Sequence, residues 1–339
     1  MKRSVIGIIA HVDSGKTTLS EAMLFHAGEI RRLGRVDHGD AFLDTDVIEK
    51  KRGITVFSKP AEFRYNDTCF TLLDTPGHVD FSAETERALQ VLDLAVLVIS
   101  GTDGVQSHTQ TLWRLLRRYS VPTFVFVNKM DLDGADKSFV MQSLENRLGS
   151  GFVDLCRPAD EVAEDCAVYD ENAMNEFLEG GDVQTQTLAA AVAQRNIFPC
   201  FFGSALRSQG VEKLMNALAD LAPCADDTQA AADFGAKVYK ISEDGGARLT
   251  FMKITSGTLK IRSLLNYAAE GENFSEKVSR MRIYSGAKFR SADAAEAGAV
   301  CAVEGLTHTF AGQGLGCEPD SAPPLLEPVL TYRAEPQDN

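Results

Sequence analysis

An apolar run at residues 4–10 leads directly into the loop AHVDSGKTT and then into a helical pattern at residues 16–26. The loop fits the pattern G-x-x-x-x-G-K-[ST], with Ala10 in the position of the first glycine. Such a loop turns backbone N–H groups and the positive end of a helix dipole toward an anion. The segment therefore predicts a phosphate-binding P-loop in an α/β sheet. The residues expected to contact phosphate are Ala10, His11, Val12, Asp13, Ser14, Gly15, Lys16, Thr17 and Thr18.

Strand and helix patterns alternate through the first two thirds of the chain, as in a mostly parallel sheet with helices on both faces. The expected strands cover residues 4–10, 54–65, 69–74, 94–99, 123–127 and 199–203, and the expected helices cover residues 16–26, 107–118, 137–148 and 211–221. We assign residues 1–228 to this α/β domain, with an insertion at about residues 150–195. The many acids between Asp154 and Asp182 in the insertion are interpreted as a solvated helical face.

The pattern changes after residue 228, where short β-rich runs are separated by glycine and serine. Their spacing predicts a small antiparallel β-barrel over residues 229–325. Residues 326–339 are extended and contain proline, and we interpret them as a linker to further domains of a longer protein.

The overall composition disfavours several classes of protein. A net charge of −14 argues against electrostatic wrapping of bare nucleic acid, but it is compatible with docking on a nucleoprotein particle. No apolar run approaches the roughly 20 residues that span a bilayer, so no membrane partner is expected. Seven scattered cysteines without a C-x-x-C pair are typical of reduced thiols in the cytoplasm. We therefore expect a cytoplasmic protein, and a monomer.

The stretch FTLLDTPGHVDF ends an apolar strand pattern with an acid and a sharp turn. A carboxylate at the end of a parallel strand beside the P-loop, here Asp74, would face a Mg²⁺ ion near the Thr17 hydroxyl, through a water. Lys16 is expected at the β- and γ-phosphates, and Gly77 lets the backbone approach the γ-phosphate. The residues of this second phosphate-contacting loop are Asp74, Thr75, Pro76 and Gly77.

The run FVFVNKMD delivers an N-K-x-D motif to a strand end. The Asp131 carboxylate can accept both the N1–H and the 2-amino proton of guanine, whereas adenine would leave this charge unmatched. Lys129 can lay its stem over the base, Asn128 can tie this loop to the P-loop, and FFGSA supplies backbone contacts to guanine O6. GTP is therefore the expected substrate and Mg²⁺ the expected cofactor. The base-site residues are Asn128, Lys129, Met130, Asp131, Ser204 and Ala205.

The segment KKRGITVFSK places Thr55 on a polar loop between the P-loop helix and the next strand. Its hydroxyl could complete the Mg²⁺ shell when a γ-phosphate is present and release the ion after hydrolysis. The expected metal ligands are thus Thr17, Thr55 and, through water, Asp74.

In this order, AHVDSGKTT, RGIT, DTPGHVDF, NKMD and GSA resemble the motifs of translational GTPases of the elongation factor G class. The resemblance covers nearly the whole chain, as a GTP-binding domain with an insertion between NKMD and GSA, followed by a β-barrel domain II. The run TTLSEAMLFHAGEIRRLGRVDHGDAFLDTDVIEKKRGITV is similar to the tetracycline-resistance ribosomal protection proteins within that class. Ser14 departs from the alanine that is usual there.

The resemblance implies roles that the residues alone do not. His78, directly after D-T-P-G, would orient the water that attacks the γ-phosphate, and Val12 and Ile54 would form an apolar gate around it. The chain would be a GTP hydrolase of the ribosomal protection type, acting on ribosomal RNA and proteins. Two alternatives stay open: a translocation factor like elongation factor G, and a non-catalytic, GTP-dependent binding module. A P-loop kinase is disfavoured by NKMD.

Overall fold

A computed structural model of the chain describes residues 2–34, 58–78, 82–225, 227–286 and 288–324. An α/β unit comes first and is followed by a unit of antiparallel strands. In chain order, the strands of the α/β unit are β1 (Lys2–Ala10), β2 (Lys59–Tyr65), β3 (Thr68–Asp74), β4 (Leu94–Ser100), β5 (Thr123–Asn128), β6 (Phe152–Asp154) and β7 (Phe198–Phe202). Its helices are α1 (Lys16–His26), α2 (Ser82–Leu89), α3 (Ser107–Arg118), α4 (Lys137–Leu148), α5 (Ala159–Tyr169), α6 (Glu171–Gly180), α7 (Thr185–Ala193) and α8 (Val211–Leu221).

The strands of the α/β unit lie in the order β2-β3-β1-β4-β5-β7-β6. The pairs from β3 to β6 along this order are all parallel. Strand β2 instead runs antiparallel to β3, across a two-residue turn in which Asn66 has φ +50°. A left-handed asparagine is typical of tight hairpin turns. The mostly parallel sheet predicted from the sequence is therefore confirmed, with one antiparallel strand.

Two apolar cores fix this sheet between its helices. On one face, Met23 of α1 and Leu214 of α8 belong to the same buried cluster as Ile8 of β1. On the other face, Leu116 of α3 clusters with Leu97 of β4. Every residue of β4 is buried, as expected for a central strand. Apolar packing on both faces therefore fixes the position of the strands and of their carboxyl ends.

The second unit begins with the short helix α9 (Asp227–Ala230), and its strands pair antiparallel around a separate apolar core. Its strands are β8 (Gly235–Asp244), β9 (Ala247–Ser256), β10 (Thr258–Lys260), β11 (Leu264–Ala269), β12 (Glu272–Lys277), β13 (Arg280–Ser285), β14 (Lys288–Ser291), β15 (Ala294–Glu296), β16 (Val300–Glu304) and β17 (Gly314–Gly316). These strands agree with the β-rich pattern of the sequence.

The two units share a buried contact. Val5 and Leu73 of the first unit lie in one apolar cluster with Tyr239 of the second. Beside them, the Asp93 carboxylate accepts a hydrogen bond from the Val5 N–H at 2.8 Å and from Lys253 Nζ at 2.6 Å. The junction therefore combines apolar burial with a paired charge.

Helices α1, α3, α4 and α8 have the bounds predicted from the sequence, but several short elements were not predicted. Helix α2 follows the DTPGH segment, and β6 with α5, α6 and α7 occupies the region where the insertion is predicted. The strand predicted over 54–65 begins at Lys59 in the described part, and β7 covers Phe198–Phe202 instead of 199–203. The predicted linker, 326–339, lies outside the described residues, and the domain boundaries stay predictions.

The acids of the predicted insertion do not all lie on a solvated face. Asp154 is 4% exposed, pairs with Lys137 and accepts the Cys156 N–H at 2.9 Å. Asp170 is 8% exposed and caps α6 by accepting two backbone N–H groups. The solvated-face interpretation is wrong for these two, because each carboxylate satisfies buried polar groups. It holds for exposed acids such as Glu161.

Each of the seven cysteines is free. Burial is the main cause that raises the pKa of the Cys69 and Cys166 thiols to about 11. These thiols therefore stay protonated at neutral pH and are poor nucleophiles.

Within the described part of the chain, every helix is too short or too polar to cross a membrane.

Candidate functional site

The carboxyl ends of β1, β3, β5 and β7 meet at one edge of the sheet, as parallel strands require. The P-loop follows β1, the DTPG loop begins at Asp74, the N-K-x-D motif begins at Asn128, and Ser204 comes two residues after β7. Motifs that are far apart in the sequence are therefore gathered in one place.

The P-loop has a backbone suited to an anion. Asp13 and Gly15 adopt left-handed conformations, with φ of +61° and +90°, and Gly15 is the N-cap of α1. Within the described chain, α1 has neither a side-chain cap nor an acid in its first turn. The positive end of its dipole thus lies at the P-loop, where it favours an anion. This arrangement fits a phosphate.

Lys16 and Asp74 meet beneath this loop. The Lys16 ammonium forms an ion pair with the Asp74 carboxylate, which is fully buried. Thr17 Oγ1 lies 3.5 Å from Asp74 Oδ2, and Ser20 Oγ lies 3.4 Å from Asp74 Oδ1. Carboxylate and hydroxyl oxygens are the ligands that Mg²⁺ prefers, and an ammonium binds phosphate. These side chains therefore fit a metal-bound phosphate group.

Asn128 joins three loops through its side chain. Its Nδ2 donates to the Ser14 carbonyl at 2.9 Å, and its Oδ1 accepts the Ala205 N–H at 2.8 Å. The side chain is buried, so both hydrogen bonds are shielded from water. The contact with the P-loop agrees with the sequence analysis, and the contact with Ala205 adds the third loop.

Replacing Gly15 by alanine is expected to weaken nucleotide binding by at least about tenfold. A Cβ at this position would lie 2.2 Å from Asn128 Nδ2, and the left-handed backbone adds about 1–3 kcal/mol of strain. The measurement is the affinity for a fluorescent guanine nucleotide, with thermal unfolding as a check of the fold. Gly28→Ala is the matched control, because Gly28 has φ +78° but no atom within 4 Å of the added Cβ. Equal affinities for the two variants would contradict the role of the Asn128 contact.

The Asp131 carboxylate has charged and polar partners. Arg207 Nε lies 3.0 Å from Asp131 Oδ2. The Ser204 hydroxyl hydrogen bond is the largest cause that lowers the pKa of Asp131, and the Arg207 charge also lowers it. Lys129, two residues before Asp131, has a left-handed backbone with φ +64°. Asp131 is therefore an ionised acceptor, the form that reading guanine requires.

The backbone N–H groups of Ser204 and Ala205 already have partners in the structure. The Ser204 N–H donates to the Gln209 carbonyl at 3.1 Å, and the Ala205 N–H donates to Asn128 Oδ1 at 2.8 Å. The expectation that this backbone contacts guanine O6 stays a prediction. These N–H groups hold the loop together, and an O6 contact from Ala205 would be shared with Asn128.

Three histidines converge beside the DTPG loop. His108 of α3 is buried, and its ring centroid lies 6.0 Å from that of His11 in the P-loop. Burial lowers the pKa of His108, and the charges of His11 and His78 lower it further. The Thr75 hydroxyl donates to the Ile8 carbonyl at 2.8 Å and anchors the loop that carries His78. His78 itself is half-buried. Because the pKa of His108 is lowered, the imidazole beside His78 is neutral at pH 7.

Thr55 and Ile54 lie outside the described residues, so the metal role of Thr55 and the apolar gate stay predictions. Val12, the other gate residue, is half-buried in the P-loop. The chain that leads toward Thr55 is described as far as Gly34, whose N–H donates to the Glu21 carboxylate at 3.3 Å.

The sequence analysis missed three side chains that lie in this site: Ser20, His108 and Arg207. Ser20 follows Lys16 by four residues on α1, so helical spacing alone would have placed both on one face. Arg207 follows Ser204 by three residues, which is a weaker signal. His108 has no local signal, because the packing of α3 brings it to the P-loop.

A family model, the elongation factor Tu GTP binding domain, matches residues 1–224. Elongation factor G of Ureaplasma urealyticum is 31% identical over 404 residues, covering 98% of this chain and 58% of that protein. Elongation factor G 2 of Geobacter metallireducens is 32% identical over 405 residues, again covering 98% and 58%. The chain thus spans less than two thirds of the length of these relatives.

A crystal structure of a Thermus thermophilus protein is similar in fold. It matches with a TM-score of 0.81 at 24% identity, covering 95% of this chain and 55% of that chain. Both the α/β unit and the antiparallel unit described above fall within that coverage. The similarity supports the architecture of both units.

Proposed function

This chain belongs to the elongation factor Tu GTP-binding domain family, and we propose that it binds GTP and GDP at the strand edge and hydrolyses GTP. One observation carries the proposal: Asn128 bonds the P-loop to the G-S-A loop beside Asp131, while Lys16 contacts Asp74. Phosphate-binding and base-reading groups therefore stand in one continuous site.

Nucleotide binding would exchange the partners of Lys16 and Asp74. Their ion pair is buried, so neither charge can be left unmatched when it opens. Lys16 would pair with the β- and γ-phosphates, while Thr17 and, through water, Asp74 would hold Mg²⁺. The bound Mg²⁺ supplies charge neutralisation on the phosphates. Ser20, which hydrogen-bonds Asp74, would keep that carboxylate oriented.

Hydrolysis needs a positioned water more than covalent help from the protein. His78 is the side chain on the DTPG loop that we assign to this role. His108 is neutral at pH 7 because of its lowered pKa, so it adds no positive charge beside His78. The isolated chain should therefore hydrolyse GTP slowly, at roughly 10⁻² s⁻¹ or below.

The ribosome is the proposed partner, because the relatives named above are elongation factors G. We place the chain with ribosome-dependent, cytoplasmic translational GTPases. A narrower candidate is the ribosomal protection type, favoured by the run from Thr17 to R-G-I-T. One measurement separates the ribosomal protection type from other translational GTPases: a protection-type protein would restore translation that tetracycline has stalled.

Binding and turnover measured side by side test the main proposal. Calorimetry should show about one GDP per chain, and phosphate release should be slow alone and faster with ribosomes. Binding without turnover under either condition would identify a non-catalytic module instead. Equal affinities for ADP and GDP would contradict guanine recognition.

Thr17→Ala is expected to blunt the Mg²⁺ dependence of nucleotide binding, because the hydroxyl ligand is removed. The measurement is GDP affinity with Mg²⁺ and with a chelator. Thr17→Ser, which keeps the hydroxyl, should restore the wild-type response. An unchanged Mg²⁺ effect in Thr17→Ala would remove Thr17 from the metal site.

A further inference from the structure

Arg207 forms an ion pair with the Asp131 carboxylate, the group that we assign to guanine recognition. Its Nε lies 3.0 Å from Asp131 Oδ2, and the Ser204 hydroxyl also hydrogen-bonds Asp131. Asp131 is 11% exposed, whereas Arg207 is 60% exposed. The arginine thus reaches inward from solvent to a nearly buried acceptor.

The loop that carries Arg207 is rigid. Ser204 and Gln209 exchange backbone hydrogen bonds of 3.1 and 2.9 Å across it. A Cβ on Gly203 would lie 2.0 Å from the Gln209 carbonyl oxygen, so the two strands of the loop pack without any gap. The guanidinium is therefore presented from a fixed backbone.

The loop that carries Asp131 is attached to the same frame. The Met130 N–H donates to the Gly203 carbonyl at 3.0 Å, and Ala205 donates to Asn128. The separation between Arg207 and Asp131 is thus set by backbone contacts on both sides. Rotation of the exposed Arg207 side chain is therefore the smallest change that uncovers Asp131 Oδ2.

We propose that Arg207 is a stand-in for guanine: it neutralises Asp131 in the base-free chain and is displaced when the two N–H donors of guanine arrive. The inference rests on the proposed function, because it assumes that Asp131 reads the base. Guanine offers N1–H and 2-amino donors side by side and needs both carboxylate oxygens. Hypoxanthine lacks the 2-amino group, so its N1–H can use Oδ1 while Arg207 keeps Oδ2.

Arg207 therefore lowers the affinity for guanine and leaves that for hypoxanthine nearly unchanged. A partly exposed ion pair has a modest effect, so Arg207→Gln should bind GDP about two- to fivefold more tightly. Its affinity for IDP should change by less than about 1.5-fold. The GDP gain should shrink between about 0.05 M and about 0.5 M salt, because salt already weakens the wild-type ion pair.

The experiment is a titration of GDP and IDP into wild type, Arg207→Gln and Arg114→Gln. Arg114 is exposed on α3, so its substitution removes the same charge away from Asp131. In an Asp131→Asn background, Arg207→Gln should have no effect on GDP affinity, since the partner is gone. Thermal unfolding without nucleotide checks that each variant is folded.

The outcomes separate the two proposals. A folded wild-type chain that binds no guanine nucleotide would overturn the proposed function and this inference together. A wild-type chain that binds GDP, with the same GDP affinity in Arg207→Gln, would overturn the inference alone. An equal gain for GDP and IDP would also overturn it, because it would show a general charge effect and not competition for Oδ2.

Discussion

Replacing His78 by alanine should leave GTP affinity nearly unchanged and abolish the stimulation of hydrolysis by ribosomes. A residue that orients water acts mainly in the transition state, so its loss lowers the rate and spares ground-state binding. Positioned acid–base side chains contribute roughly 10²- to 10⁴-fold, and a loss of this size is expected in the stimulated rate.

Single-turnover hydrolysis with saturating ribosomes decides this prediction. His308→Gln is a control, because it removes an exposed imidazole in the antiparallel unit. Equal stimulated rates for wild type and His78→Ala would remove His78 from the mechanism. A large loss of GTP affinity would instead make His78 a structural residue.

Asp131→Asn should lower GTP affinity steeply, by roughly 10²- to 10⁴-fold. The carboxylate accepts both donors of the guanine edge, whereas an asparagine amide presents one acceptor and one donor. Xanthine has a 2-oxo group next to N1–H, which matches that amide. Xanthosine triphosphate should therefore gain relative to GTP in this variant.

Competition between GTP and xanthosine triphosphate in the same sample measures the switch directly. Asp131→Asn also removes the charged partner of the Arg207 guanidinium, so both nucleotides are compared without that ion pair. An Asp131→Asn variant that binds GTP as tightly as wild type would mean that another residue reads the base.

Helix bounds were predictable wherever local chemistry marks them. Asp136 caps α4 by accepting the Phe139 N–H at 3.0 Å, and Gly149 follows its last residue. Gly15 and Gly210 precede α1 and α8 with left-handed backbones that end the preceding loops. Such signals act within a few residues, so they can be read without knowing the fold.

Short elements were not predictable in this way. Strand β6 has only three residues and becomes a strand because it pairs with β7. Helix α2 has eight residues, too few to show a clear apolar period. For elements of this length, tertiary packing contributes more to stability than local propensity does.

The candidate site likewise has features that the sequence predicts and features that depend on tertiary packing. The P-loop, D-T-P-G, N-K-x-D and G-S-A motifs were identified from the sequence because each needs particular residue types at fixed spacing. The order of strands that gathers them depends on long-range pairing, such as that of β1 with β3, which are far apart in the chain. The ion pair of Arg207 with Asp131 and the approach of His108 to His11 also depend on that packing. The residue types and spacing of each motif are local, so they can be identified from the sequence. Contacts between motifs form only after the buried sheet has brought their loops together.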